Sequence, residues 1–135
     1  MMILRVCTLL IGGVITALPI YGQRQLTTSE VLEDTTTCEE NIVALERVMR
    51  QSSEESGIIF IVSNRAKSEE SRMDWARLKY TRTAITSFRK FPAERLKIMA
   101  GEPTDGDSGK LEFWVNGKLL LVSYAKRNQR ICFHI

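Results

Sequence analysis

The chain has 135 residues, one domain's worth, with an ordinary apolar fraction of 44% and no low-complexity tract. Its 19 Lys and Arg against 16 Asp and Glu leave a formal net charge of only +3, which argues against a nucleic-acid partner. The sole histidine is His134, next to the last residue, so a serine or cysteine nucleophile with a histidine base is not expected.

The first residues read as a leader. Met1 to Arg5 carries one positive charge, Val6 to Ile20 is almost wholly apolar, and Gly22-Gln23 follows. A charged start, a short apolar run and a small residue before a polar stretch describe a secretory signal peptide, residues 1–22. The alternative is an uncleaved N-terminal anchor, because Ile20 is a poor residue three places before the cut. That anchor would be the only membrane contact. Export, periplasmic or secreted, leaves two cysteines, Cys38 and Cys132, near the two ends of the mature chain. In an oxidising compartment such a pair is expected to bridge, adding about 2–4 kcal/mol by restricting the unfolded chain.

Residues 23–37 are polar, with little to bury besides Leu26, Val31 and Leu32, and read as a tail or a weakly held edge segment. A single domain is expected over 38–135. Thr36 with Glu39, or Thr37 with Glu40, makes a capping box. Cys38, Ile42, Leu45 and Met49 then recur at helical spacing as far as about Arg50, which puts the Cys38 sulfur on the core side. Ile58 to Val62 is continuous, apolar and β-branched, which suits a central strand buried on both faces.

A polar loop, Ser63 to Glu70, leads into a helical pattern from about Ser71 to Lys90, capped by Ser71 with Asp74 at its third position. Met73, Tyr80, Thr81, Ala84, Ile85 and Phe88 fall on one side of that helix, and Arg77 sits near the middle of the arc. Phe91-Pro92 stops it. Leu96, Ile98 and Ala100 alternate with Arg95, Lys97 and Met99 as a half-exposed strand.

The Asp105-x-Asp107-x-Gly109 loop has the opening of a calcium site. Asn116 stands where the bidentate glutamate belongs, so a plain acidic turn is expected. Two strands, Leu111 to Val115 and Lys118 to Tyr124, are joined by Asn116-Gly117, a type I′ hairpin signal. Phe113 and Trp114, on successive positions, point to opposite faces, and one is expected in the core. Ile131 to Ile135 is a short apolar end. The order of helix, strand, helix and three strands closes most simply as an α+β sandwich, two helices on one mixed sheet of about four strands.

The segment from about Cys38 to Tyr124 resembles the OmpA C-terminal-like, peptidoglycan-associated domain. That family carries Asn-x-x-Leu-Ser-x-x-Arg-Ala where this chain has Glu70-x-x-Met73-Asp74-x-x-Arg77-Leu78. Arg95 to Pro103 likewise resembles the family's strand leading into Gly-Glu-x-x-Pro. The resemblance implies a βαβαβ sheet covered by two helices. It also implies that Arg77 is one of two residues holding the diaminopimelate group of the wall peptide. The other, an aspartate in Gly-His-Thr-Asp after the central strand, has no counterpart; Ser63-Asn64-Arg65 stands there. The cysteine pair is not a family feature.

Arg77, with Arg65, Asn64 and Ser63, is therefore the candidate ligand site. An arginine in an apolar arc must be paired, reach the rim, or face a ligand such as a carboxylate. Glu102 and Asp74 are the expected internal partners. The bases from Arg65 to Lys97 make a helix face that either meets a polyanion or is simply solvated opposite the acidic segment Glu30 to Glu55. No metal-ligand spacing and no glycine-rich phosphate loop is present, and no cofactor is implied. The leading expectation is an exported, non-catalytic envelope domain binding peptidoglycan or another envelope component. The alternatives are a structural or protein-interaction domain that kept the fold and lost the ligand, and a small hydrolase with two carboxylates in one cleft.

Overall fold

A computed structural model describes residues 29–133. The leader, its Cys7 and His134 lie outside that range. Two helices lie on one mixed five-stranded sheet, an α+β architecture. The chain order is β1 (Glu30–Leu32), α1 (Cys38–Glu54), β2 (Ile59–Asn64), α2 (Met73–Thr83), β3 (Leu96–Ala100), β4 (Gly109–Val115) and β5 (Lys118–Ala125). The strand order is β1-β5-β4-β2-β3. Strands β1 and β5 run parallel, as do β2 and β3, and the other two pairings are antiparallel. The fifth strand, beyond the four expected, is β1. Its three residues sit in the segment read as a tail or an edge, and they do form an edge, against Leu121 to Ser123 of β5.

Helix α1 begins where the capping box places it. Thr37 Oγ1 accepts from Glu40 N, and the Glu40 carboxylate accepts from Thr37 N. It runs a turn past Arg50 to Glu54, because Ser52 is buried and its hydroxyl donates to the Gly57 carbonyl at 2.8 Å. The β4–β5 hairpin turns on Asn116 and Gly117 with φ of 50° and 77°, the two positive values that a type I′ turn requires.

Two expectations are corrected. Strand β2 is interior but is not buried on both faces. Ile59, Ile61 and Ser63 are buried under the helices, whereas Phe60 is 37% exposed on the face that no helix covers. The second helix is not one uniform run to Lys90, nor is it capped by Ser71. Arg72 stands at its N-cap with no side-chain cap, and Asp74 turns instead to the preceding loop. A π-helical turn over Ala84–Phe88 follows Thr83. A wider turn shifts the phase of every later residue. Phe88, expected on the apolar arc, is accordingly 58% exposed.

The core lies between the helices and the sheet, around Leu45, Ile59, Ile61, Leu78, Ile85, Leu111, Phe113 and Leu121. The C-terminal segment completes it. Ile131 and Phe133 are buried, and Phe133 meets Phe113 edge to face at 5.8 Å between centroids. Phe113 is thus the core member of its pair, and Trp114 is half-buried on the uncovered face opposite Phe60. Cys38 and Cys132 form the expected disulfide, with Cα atoms 5.0 Å apart at a sequence separation of 94. It ties the first turn of α1 to this segment and is consistent with an oxidising compartment.

Candidate functional site

The end of β2 holds Ser63 and Asn64, the loop after it Arg65, and α2 Arg77, but strand alternation divides them. Ser63 points under the helices. Its hydroxyl donates to Asp74 Oδ1 at 2.7 Å, and the Arg65 backbone N–H donates to the same oxygen at 2.8 Å. The Arg65 guanidinium lies 3.8 Å from Asp74 Oδ2 and donates to the carbonyls of Ala66 and Glu69. Asn64 points the other way. Its Nδ2 donates to the Glu102 carbonyl at 2.9 Å, so it does not converge with Arg77.

Arg77 is fully buried, as its place on the apolar arc predicts, and its partner is Glu69 rather than Glu102 or Asp74. Nη1 donates to Glu69 Oε2 at 2.8 Å and Nη2 donates to Glu69 Oε1. Nε donates to the Gln129 carbonyl at 2.9 Å, and Nη2 also reaches the Lys126 carbonyl at 3.3 Å. The Glu69 carboxylate takes two further donors, Ala66 N and Asn128 N, each at 2.9 Å. One ion pair therefore joins three segments: the β2–α2 loop, α2 itself and the turn after β5. Gly109 at the start of β4 closes over it, where a β-carbon would strike Arg77 Nη1 and Glu69 Oε2. Burial opposes the charge on Glu69. The hydrogen bonds from Arg77, Ala66 and Asn128 and the adjacent positive charge outweigh it and hold the carboxyl below its ordinary range.

Sequence reasoning missed Glu69. The available signal was a buried arginine's need for an acid, with Glu69 and Glu70 both just upstream. Which acid turns inward depends on the path of the loop, a tight turn closed by Glu69 N donating to the Ala66 carbonyl at 3.0 Å.

Two surfaces lie outside this knot. A groove of about 750 Å³ runs between α2 and the segment 128–132; Arg72, Lys79, Tyr80 and Arg130 line it. The uncovered sheet face carries Phe60, Trp114 and Leu119 in one cross-strand row, and Met99, Val62, Glu112, Val122 and Val31 in the next. Among the described residues no cluster of His, Cys, Asp or Glu could hold a metal ion. No helix among them is long and apolar enough to cross a membrane.

No protein-family model, no curated protein and no solved structure matches this chain. The likeness to OmpA C-terminal-like domains thus stands on the quoted residues alone.

Proposed function

We propose that this chain is an exported domain, periplasmic or secreted, with a non-catalytic role in protein interaction or envelope architecture. On this reading it keeps an OmpA-like frame and has lost the ligand site. The observation that carries the proposal is the engagement of Arg77. Its guanidinium makes four hydrogen bonds to Glu69, Gln129 and Lys126 with no solvent exposure. To take a wall peptide's carboxylate it would have to abandon a buried acid, and an unpaired buried charge costs several kcal/mol, on the order of 3–5.

The two carboxylates at this loop end support the non-catalytic part of the reading. Asp74 accepts from Ser63 and Arg65, and Glu69 from Ala66, Asn128 and Arg77. Both are committed to holding backbone in place. The Cys38–Cys132 bridge supports export.

Sedimentation with purified peptidoglycan tests the proposal. The mature protein, Asn64→Ala and Arg65→Ala should all stay in the supernatant, like a non-binding control protein. Both substitutions leave the Glu69–Arg77 pair intact, so misfolding does not confuse the result. Wild-type protein in the pellet, with either variant released from it, would restore the wall-binding reading.

A further inference from the structure

The groove beside α2 is separate from the loop-end knot. One wall is the helix face made by Arg72, Ala76, Lys79, Tyr80 and Thr83, and the other is the segment from Asn128 to Cys132. Among the described residues that line it, three are cations and none is a carboxylate. Lys79 is exposed and makes no ion pair among the described residues. The Arg130 guanidinium lies 4.6 Å from the centre of the Tyr80 ring, a contact that limits its freedom without neutralising its charge. Arg72 meets Glu70 at 2.6 Å in an exposed pair, which a competing anion can replace at little cost.

The wall carrying Arg130 is held from beneath. Arg77 grips the carbonyls of Lys126 and Gln129, Asn128 bonds Glu69 and Glu70, and Cys132 is bridged to Cys38. The cations are therefore set on a fixed frame before any ligand arrives, which lowers the ordering cost of binding. Arg72 and Lys79 are seven residues apart along the helix, about 10 Å at 1.5 Å per residue. A ligand laid along the helix with two anionic groups can meet both. Met73 and Ile131 are buried in the groove's floor.

We propose that this groove is a binding site for a polyanionic glycan, a chain of sugars bearing carboxylate or sulfate groups. Arg72 and Lys79 meet successive anionic groups along the helix, and Arg130 closes on the chain from the opposite wall. On the proposed reading as an exported domain, which the Cys38–Cys132 bridge supports, the polyanions this groove meets are glycans rather than nucleic acids.

Isothermal titration of the disulfide-bonded mature protein distinguishes the sources. Heparin oligosaccharide supplies sulfate and carboxylate, polygalacturonate carboxylate only, and duplex DNA and inorganic phosphate serve as comparators. At least one glycan should bind more tightly than DNA and far more tightly than phosphate, with affinity falling as salt rises. Lys79→Glu and Arg130→Glu should each weaken that binding about tenfold, a shift of about 1.4 kcal/mol. Arg82→Glu makes the same charge change on the same helix but outside the groove, and should weaken it less than about threefold, close to what long-range charge alone does at moderate salt. An equal loss with Arg82→Glu, no loss with Lys79→Glu in a protein of unchanged circular dichroism, or DNA binding as tightly as the glycans would overturn the proposal.

Discussion

Arg77 and Lys79 stand two residues apart on α2 and lead opposite lives. At 100° per residue they point to nearly opposite sides of the helix. Arg77 lies under the turn that follows β5, without solvent, in a bidentate pair with Glu69. Lys79 faces the groove whose far wall is the continuation of that turn. The difference teaches what decides a cation's role here: the helix phase, and whether an acid lies within reach. It also links the two regions, because the knot around Arg77 fixes the wall that the groove uses.

The largest test of this contrast is at Arg77. Arg77→Met leaves Glu69 buried and unpaired, and should cost about 3–5 kcal/mol in urea denaturation, whereas Lys79→Met should cost less than about 0.5 kcal/mol. Replacing a buried pair by apolar residues is often neutral. It should not be so here. Glu69→Leu with Arg77→Met also strips partners from the N–H groups of Ala66 and Asn128 and from the carbonyls of Lys126 and Gln129. A double variant as stable as wild type would show that the knot is not an anchor.

Next comes the bridge. Cys38→Ser with Cys132→Ser should lower stability by about 2–4 kcal/mol by freeing the unfolded chain. It should also weaken glycan binding, although it changes none of the groove's charges.

Acid sharpens the comparison further. The Glu69 carboxyl is held below its ordinary range in the fold, so the unfolded chain takes up its proton first as pH falls. The stability it contributes is complete above the unfolded pKa, about 4.3, and is lost as pH drops from there through the folded value. Urea midpoints from pH 7 to pH 3 should show that acid limb in wild type. The limb should flatten in the Glu69→Leu, Arg77→Met double variant. A smaller effect than these three belongs to Arg65→Ala. Its contact with Asp74 is 3.8 Å long and partly solvated, worth less than about 1 kcal/mol by the same measurement.

The sequence announced those features whose cause is local. The capping box at Thr37, the helical stripe through Leu45 and the positive-φ pair at Asn116 and Gly117 are each settled within a few residues, and each is found in place. The Cys38–Cys132 bridge was legible because a cysteine count and a compartment suffice to suggest it. Arg77's burial followed from its position on the arc. Its partner did not, since Glu69 turns inward only because the loop doubles back at Ala66. Phe60's exposure was hidden too. A continuous apolar strand looks the same whether one layer covers it or two. The groove could not be read at all, because its second wall arrives from fifty residues downstream.

The sheet order has a consequence for when the chain can fold. Strand β5 lies between β1 and β4, and Ile131 to Phe133, beyond it, fill the core and carry Cys132 of the bridge. No intermediate length of chain can close the sheet or bury Phe113 against Phe133. Each of those steps joins residues far apart in sequence, and such closures are slow. Closure of the sheet and of the bridge therefore waits on residues 118–133.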